Sequence, residues 1–272
     1  MADHHRGECL GCRVRALHLM RLRHSYGPPV AAMGGFSPTD LGASLFAFWD
    51  AERTDLITKD GSNLVSSWKD VVGGYDAVQA IGASKPLCSA TGFNGRPCVI
   101  PDGIDDEMTL APVPAGIPTG ANGCIIWALV DQTALPADAT ARIAVSYGSS
   151  TTNTARYVAR VVASGQNRVQ AQAGTGGAAV TANLTADFSG RHLAAAVITG
   201  ADVIAQMDGV SSSPSAGVPA TATGRLRLFA SAAVAAGAFW GSPTSALLIT
   251  SPTLTAGQLA SITAWANARK GA

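Results

Sequence analysis

Charge is scarce in this chain of 272 residues: Asp, Glu, Lys and Arg make up 14% of it, 19 basic residues against 18 acidic. A net charge of +1 supplies no global field to steer nucleic acid or an anionic membrane, so neither is expected as a partner without a local patch. Apolar runs of the roughly 18 residues needed for a membrane-crossing helix are also missing, because Gly, Pro or a charge interrupts every apolar segment. Near the start, Arg13, Arg15, His18, Arg21 and Arg23 break the one apolar stretch that could resemble a secretory signal, so export by that route is not expected. Five cysteines, Cys9, Cys12, Cys88, Cys98 and Cys124, are too few and too irregularly spaced for a disulfide framework. Long helical stretches are rare, since 30 Gly and 14 Pro punctuate the whole length. A mostly β protein is therefore favoured.

The first 32 residues stand apart. They hold His4, His5, His18 and His24, four of the five histidines, and five arginines against Asp3 and Glu8. Residues 1–35 are expected to be a basic leader, disordered or the product of a start placed too early, ahead of one domain over 36–272. Cys9 and Cys12 with His18 and His24 do not have the spacing of a two-Cys, two-His zinc finger.

Within the domain, several windows alternate at period two, the mark of half-buried strands. Leu226 and Leu228 alternate with Arg225 and Arg227, and Leu193, Ala195, Val197 precede Val203, Ala205, Met207 across the Thr199-Gly200-Ala201 turn. A second hairpin is expected from 156–162 and 168–173. One helix closes the chain: Thr255 and Gln258 form a capping box, Leu254 and Leu259 a hydrophobic staple, and Lys270-Gly271 the end. Ser37-Pro38-Thr39-Asp40 carries a similar, shorter start signal.

The runs Phe48-Trp49-Asp50-Ala51, Val65-Ser66-Ser67-Trp68-Lys69-Asp70, Gly73-Gly74-Tyr75-Asp76-Ala77-Val78-Gln79, Lys85-Pro86, Asn94-Gly95-Arg96-Pro97 and Asp102-Gly103-Ile104-Asp105-Asp106 together resemble the opening half of laminin-G-like, concanavalin A-like jelly rolls. Such domains recur in phage and prophage virion proteins. The stretch 192–198 with Met207-Asp208-Gly209 is similar to that family's late hairpin, and 247–268 to its last strand and helix. The resemblance implies an all-β fold, a concanavalin A-like β-sandwich jelly roll with a C-terminal helix. It also implies calcium as a possible cofactor, since some members hold the ion at a rim.

Candidate chemistry is thin. Glycoside hydrolysis needs two carboxylates roughly 5 to 9.5 Å apart, yet the domain contains only Glu52 and Glu107 as glutamates, and Asp105, Asp106 and Glu107 are consecutive. On a strand, neighbours point to opposite faces. Asp102, Asp105 and Asp106 could ligate calcium through their oxygens, or simply bond backbone amides in a tight corner. His192, the one histidine of the domain, has no nucleophile motif beside it and reads as a strand-edge residue. Trp49 and Trp68 read as core, while Tyr75, Tyr147 and Trp240 are scattered candidates for stacking on a sugar. Arg156 and Arg160 on one strand of the second hairpin, with Arg168, Gln170 and Gln172 on the other, are expected to bind sugar hydroxyls or carboxylates through planar donors.

These readings lead to the expectation of a non-enzymatic virion component, of tail-fibre, head-fibre or decoration type, assembled in the host cytoplasm. Its expected partners are other virion proteins, host-surface polysaccharide and further copies of itself. The alternative is a carbohydrate-active enzyme or a secreted, extracellular glycan-binding adhesin.

Overall fold

The computed structural model describes residues 35–110, 123–133, 142–148, 156–163, 166–173, 180–185, 189–216, 225–231 and 238–271. The expected leader, and the Gly174-Thr175-Gly176-Gly177 connection, lie outside them. In chain order the first strands are β1 (Leu45–Asp50), β2 (Ile57–Lys59), β3 (Val65–Trp68), β4 (Ala77–Val78), β5 (Leu87–Phe93) and β6 (Arg96–Ile100). The middle strands are β7 (Met108–Leu110), β8 (Cys124–Asp131), β9 (Arg142–Gly148), β10 (Arg156–Ala163), β11 (Gln166–Ala173) and β12 (Val180–Thr185). The last are β13 (Arg191–Ile198), β14 (Asp202–Met207), β15 (Val210–Ser211), β16 (Ser215–Ala216), β17 (Arg225–Leu228) and β18 (Thr244–Thr250), followed by the helix α1 (Ala256–Lys270).

The described strands form two antiparallel sheets. The first runs β15-β14-β13-β8-β18-β6-β5, with β1 also paired to β18 and β16 to β14; the second runs β12-β11-β10-β9-β17-β7-β4-β3-β2. Both expected hairpins are present as β10–β11 and β13–β14. The protein is an all-β sandwich with a C-terminal helix.

Two apolar clusters hold the layers. Ile126, Ala128 and Val130 of β8, with Leu247 and Ile249 of β18, face the second sheet and meet Val169, Leu226, Leu228, Trp49 and Trp68. Ile125, Trp127 and Leu129, with Ala246 and Leu248, face the other way and meet Ile262 and Ala266 of α1. β8 and β18 are thus covered on both faces, which is why they carry unbroken apolar runs instead of alternation. Trp49 and Trp68 are fully buried, as expected; the Trp49 indole N–H donates to the Tyr75 carbonyl at 3.1 Å, and Trp68 stacks on Phe229 with ring centroids 6.2 Å apart.

Both helix starts form as the sequence predicts. Thr255 accepts from the Gln258 N–H while the Gln258 side chain accepts from the Thr255 N–H, and Gly271 ends the helix with φ 78°. Ser37 and Asp40 make the same reciprocal pair ahead of a short 3-10 helix, Pro38–Ser44. Gly42, with φ 54° and ψ −127°, is not helical and kinks that segment after its first turn.

Candidate functional site

One face of the second sheet carries a polar row, interrupted by Ser146, which is fully buried and donates its hydroxyl to the Ala230 carbonyl at 2.6 Å. Strand pairing aligns Thr181, Gln172, Tyr157, Ser146, Arg227, Thr109, Val78, Ser67 and Thr58, one residue from each strand. Residues alternating with them, among them Leu226, Leu228, Met108, Leu110 and Trp68, belong to the core between the sheets, so the row lies on the sheet's other face. All but Val78 are residues with a hydroxyl, amide or guanidinium group. Toward one end, Arg168, Gln170 and Gln172 stand opposite Thr185, Asn183 and Thr181. Gln170 Nε2 donates to Asn183 Oδ1 at 2.9 Å, and Gln172 Nε2 to Thr181 Oγ1 at 3.1 Å.

Arg156 and Arg160 are not aligned with this row in the strand register. The hairpin closes with Ala163 opposite Gln166, which sets Tyr157, Ala159 and Val161 opposite Gln172, Gln170 and Arg168. The arginines fall at the alternate positions, paired with Tyr147 and Arg142. A one-residue difference in register exchanges the two faces of a strand, and the sequence does not reveal which turn length closes the hairpin. Thr181, Asn183 and Thr185, which sequence reasoning passed over, complete the row in their place. Their signal was the alternation Thr181-Ala182-Asn183-Leu184-Thr185.

Further along this sheet, Arg227 Nη1 lies 3.1 Å from Glu107 Oε2 and donates to the Ser231 carbonyl at 3.0 Å. Glu52 pairs with Arg96 at 2.8 Å and Arg269 at 3.3 Å. Each glutamate of the domain is therefore held by arginine. Tyr147 and Trp240 are buried in the core, and Tyr75 is packed against it, so the three aromatics form no stacking platform.

Asp102, Asp105 and Asp106 do converge, each with one carboxylate oxygen within 4.8 Å of the others. One oxygen of each carboxylate already has a partner. Asp102 Oδ1 accepts the backbone N–H groups of Ile104, Asp105 and Asp106 at 2.7, 3.3 and 3.4 Å, and Asp106 Oδ2 accepts that of Asp102 at 2.7 Å. The Ser84 hydroxyl donates to Asp105 Oδ2 at 3.2 Å. Burial, aided by the neighbouring Asp102 and Asp105 charges, pushes the Asp106 carboxyl up to about 6. A raised folded pKa contributes stability that is complete below the unfolded value and is lost as pH rises through about 6. Asp106→Asn keeps an acceptor without the charge, and is expected to raise stability by about 1 kcal/mol at pH 7.5 after allowance for solvent screening. The gain should vanish below pH ~4; urea titrations at the two pH values check it.

A third group of charges lies where β8, β13 and the end of α1 meet. His192 Nδ1 is 2.7 Å from Asp208 Oδ2, and His192 Nε2 is 2.8 Å from the Ser189 carbonyl. Both partner atoms are acceptors, and only the imidazolium can donate to both. The bond to Asp208 raises the His192 pKa against the opposing effect of burial. Burial also works against the Asp208 carboxylate, yet bonds from His192 and Lys270 hold its pKa down at about 2. The His192 contribution to stability is full below the ordinary imidazole range and is lost as pH rises through the raised folded value. Wild-type protein is expected to lose about 1 kcal/mol relative to His192→Gln between pH 6 and 9; paired denaturation curves check this. No local pattern announces this pairing, because its members lie 16 and 62 residues apart.

No known protein family and no curated protein sequence matches the chain. Solved structures do match it in fold. An arabinofuranosidase complexed with arabinofuranosyl-α-1,2-xylobiose superposes over 87% of this chain and 60% of its own, with TM-score 0.56 and 13% identity. A GH54 α-L-arabinofuranosidase soaked with a cyclic sulfate inhibitor gives TM-score 0.56 and 15% identity over 83% and 59%. Domain 4 of AbnA, a GH43 extracellular arabinanase from Geobacillus stearothermophilus, in complex with arabinotriose, gives TM-score 0.51 and 12% identity over 81% of this chain and 98% of that domain. The chain spans about 60% of the length of the arabinofuranosidases. It thus has a β-sandwich fold shared with carbohydrate-active proteins.

Two expectations are corrected by these matches. The sandwiches that share the fold come from glycoside hydrolases, and they offer no link to phage, so the virion reading is withdrawn. The expectation of a protein without enzymatic activity falls with it, because the comparisons favour the carbohydrate-active alternative.

Proposed function

We propose that the chain is the carbohydrate-recognising sandwich of a carbohydrate-active protein directed at arabinose-bearing polysaccharide. The observation that carries this reading is the match to a single arabinanase domain over 98% of that domain's length, in a complex with arabinotriose. The polar row of the second sheet supports it. Amides and hydroxyls can both donate and accept, as sugar hydroxyls require, and Arg168, Gln170 and Gln172 recur along β11 about 6.8 Å apart, so that successive sugar residues can each meet a polar side chain.

Affinity electrophoresis through arabinan and arabinoxylan, followed by calorimetry with arabinotriose, tests this. Retardation that weakens at least about fivefold, roughly 1 kcal/mol, in Gln170→Ala/Gln172→Ala is expected. Migration unaffected by either polysaccharide would overturn the proposal.

A second reading, hydrolysis by the sandwich itself, is favoured by the arabinofuranosidase match over 87% of this chain. Glu107 is then the first carboxylate to test, since it lies at the polar face beside Arg227. Release of arabinose that disappears in Glu107→Gln supports this reading, and release that persists in that variant rules Glu107 out.

A further inference from the structure

We propose that the cleft between the ends of β8 and α1 and the start of β13 binds a carboxylate, such as that of a uronic acid, with Arg191 as its principal partner. The cleft has a volume of about 320 Å3 and is lined by Thr133, Gly190, Arg191, Lys270 and Gly271. That is the low end of the range for small-ligand sites, roughly 300 to 1,000 Å3, and room for one sugar ring. The Gly190 position is open, with no atom within 4 Å of where a Cβ would stand.

Hydrogen-bond accounting selects the ligand class. Arg191 donates from Nε to Asp131 Oδ2 at 3.2 Å and from Nη1 to the Lys270 carbonyl at 2.7 Å. Its Nη2 has no partner among the described residues. Lys270 spends one of its three N–H groups on Asp208 Oδ1, at 2.6 Å. The acceptors nearby are already engaged: Asp131 also takes the Thr133 N–H and hydroxyl, and Asp208 also takes His192 and the Leu193 N–H. Donors therefore exceed acceptors, and the site suits a ligand rich in acceptors. A planar carboxylate matches the edge of a guanidinium whose side chain is 36% exposed.

Charge selects further. Arg191 and Lys270 are balanced by Asp131 and Asp208, so the cluster is neutral when His192 is neutral and carries one positive charge when His192 is protonated. One monoanion restores balance, whereas a phosphate dianion exceeds it. The groups that face His192 are Asp208 at the end of β14, the Ser189 carbonyl before β13, and Lys270 of α1. Carboxylate binding is accordingly tighter at pH 6 than at pH 8.

The uronic-acid source rests on the carbohydrate reading above; the carboxylate chemistry does not. Calorimetry on the full chain with glucuronate, glucose, acetate and inorganic phosphate at pH 6 and pH 8 tests both. Glucuronate is expected to bind and glucose not. Affinity should fall about tenfold in Arg191→Gln and severalfold in Arg191→Lys, which keeps the charge but not the fork, and weaken about threefold at pH 8. Glucuronate binding equally to wild type and Arg191→Gln, or no better than glucose, overturns the site. Phosphate binding more tightly than glucuronate overturns the carboxylate assignment, and acetate equalling glucuronate overturns the uronic-acid source. An unfolding midpoint unchanged in Arg191→Gln shows that the variant is folded, and arabinotriose titrated alongside keeps the failure of one proposal separate from that of the other.

Discussion

Arg269→Ala is expected to destabilise the protein by about 3 to 5 kcal/mol, the cost of leaving a buried charge without its partner. Arg269 donates two parallel hydrogen bonds to Asp50, at 2.7 and 2.9 Å, and both residues are buried, 8% and 6% exposed. Its guanidinium also lies 4.4 Å over the Trp265 ring, and its carbonyl accepts from Asn94 Nδ2 at 3.2 Å. Removing the side chain leaves the Asp50 carboxylate in a buried interface with, among the described residues, only the Glu52 N–H at 3.0 Å to bond it. Trp265, which packs edge-on against Phe48 at 5.9 Å, loses its cover at the same point. The same layer that buries Phe48, Trp127 and Leu248 under α1 then opens. Asp50→Asn/Arg269→Met, which removes both charges, is expected to cost clearly less than Arg269→Ala alone. Denaturant titrations of the three proteins decide it; a loss below 1 kcal/mol in Arg269→Ala would mean that this interface is wet.

Features written in local sequence were legible, and those made by distant residues were not. The helix could be read because a capping box, a staple and a terminal Gly all lie within its own residues, as did the turn that joins β13 to β14. Trp49 and Trp68 could be assigned to the core because large apolar residues at strand positions default to it. The polar row was half visible: Gln170 and Gln172 share a face by alternation alone, but which residues stand beside them depends on a hairpin register fixed by one residue. The Asp50–Arg269 pair, 219 residues apart, and the His192–Asp208–Lys270 chain have no local pattern. Function was less legible still, because a sandwich of this kind serves many activities and its sites are side chains grafted on a common frame. The resemblance that fitted the fold therefore led to the wrong class of protein.

Gly103→Ala is expected to cost about 2 to 4 kcal/mol, the sum of a backbone penalty and a steric one. Gly103 has φ +78°, where an L side chain is strained whatever the space around it. A Cβ there would stand 2.6 Å from Arg142 Nη1 and 3.1 Å from the Gly241 Cα. The first atom could move, but it is the atom that donates to the Gly103 carbonyl at 2.7 Å, so its movement gives up a charge-assisted bond. The second is backbone, in the segment that leads into β18, and has nowhere to go. Gly190→Ala separates the two contributions, since Gly190 has a comparable φ of +96° and open space around it. It is expected to cost only the backbone part, about 1 to 2 kcal/mol. If unfolding midpoints place the two variants together, the approach of Gly103 to Gly241 is not tight and the Asp102–Asp106 corner is held by its own hydrogen bonds. If Gly103→Ala falls well below Gly190→Ala, that corner is fixed from outside by Arg142 and Gly241, and packing against them contributes to holding its carboxylates together.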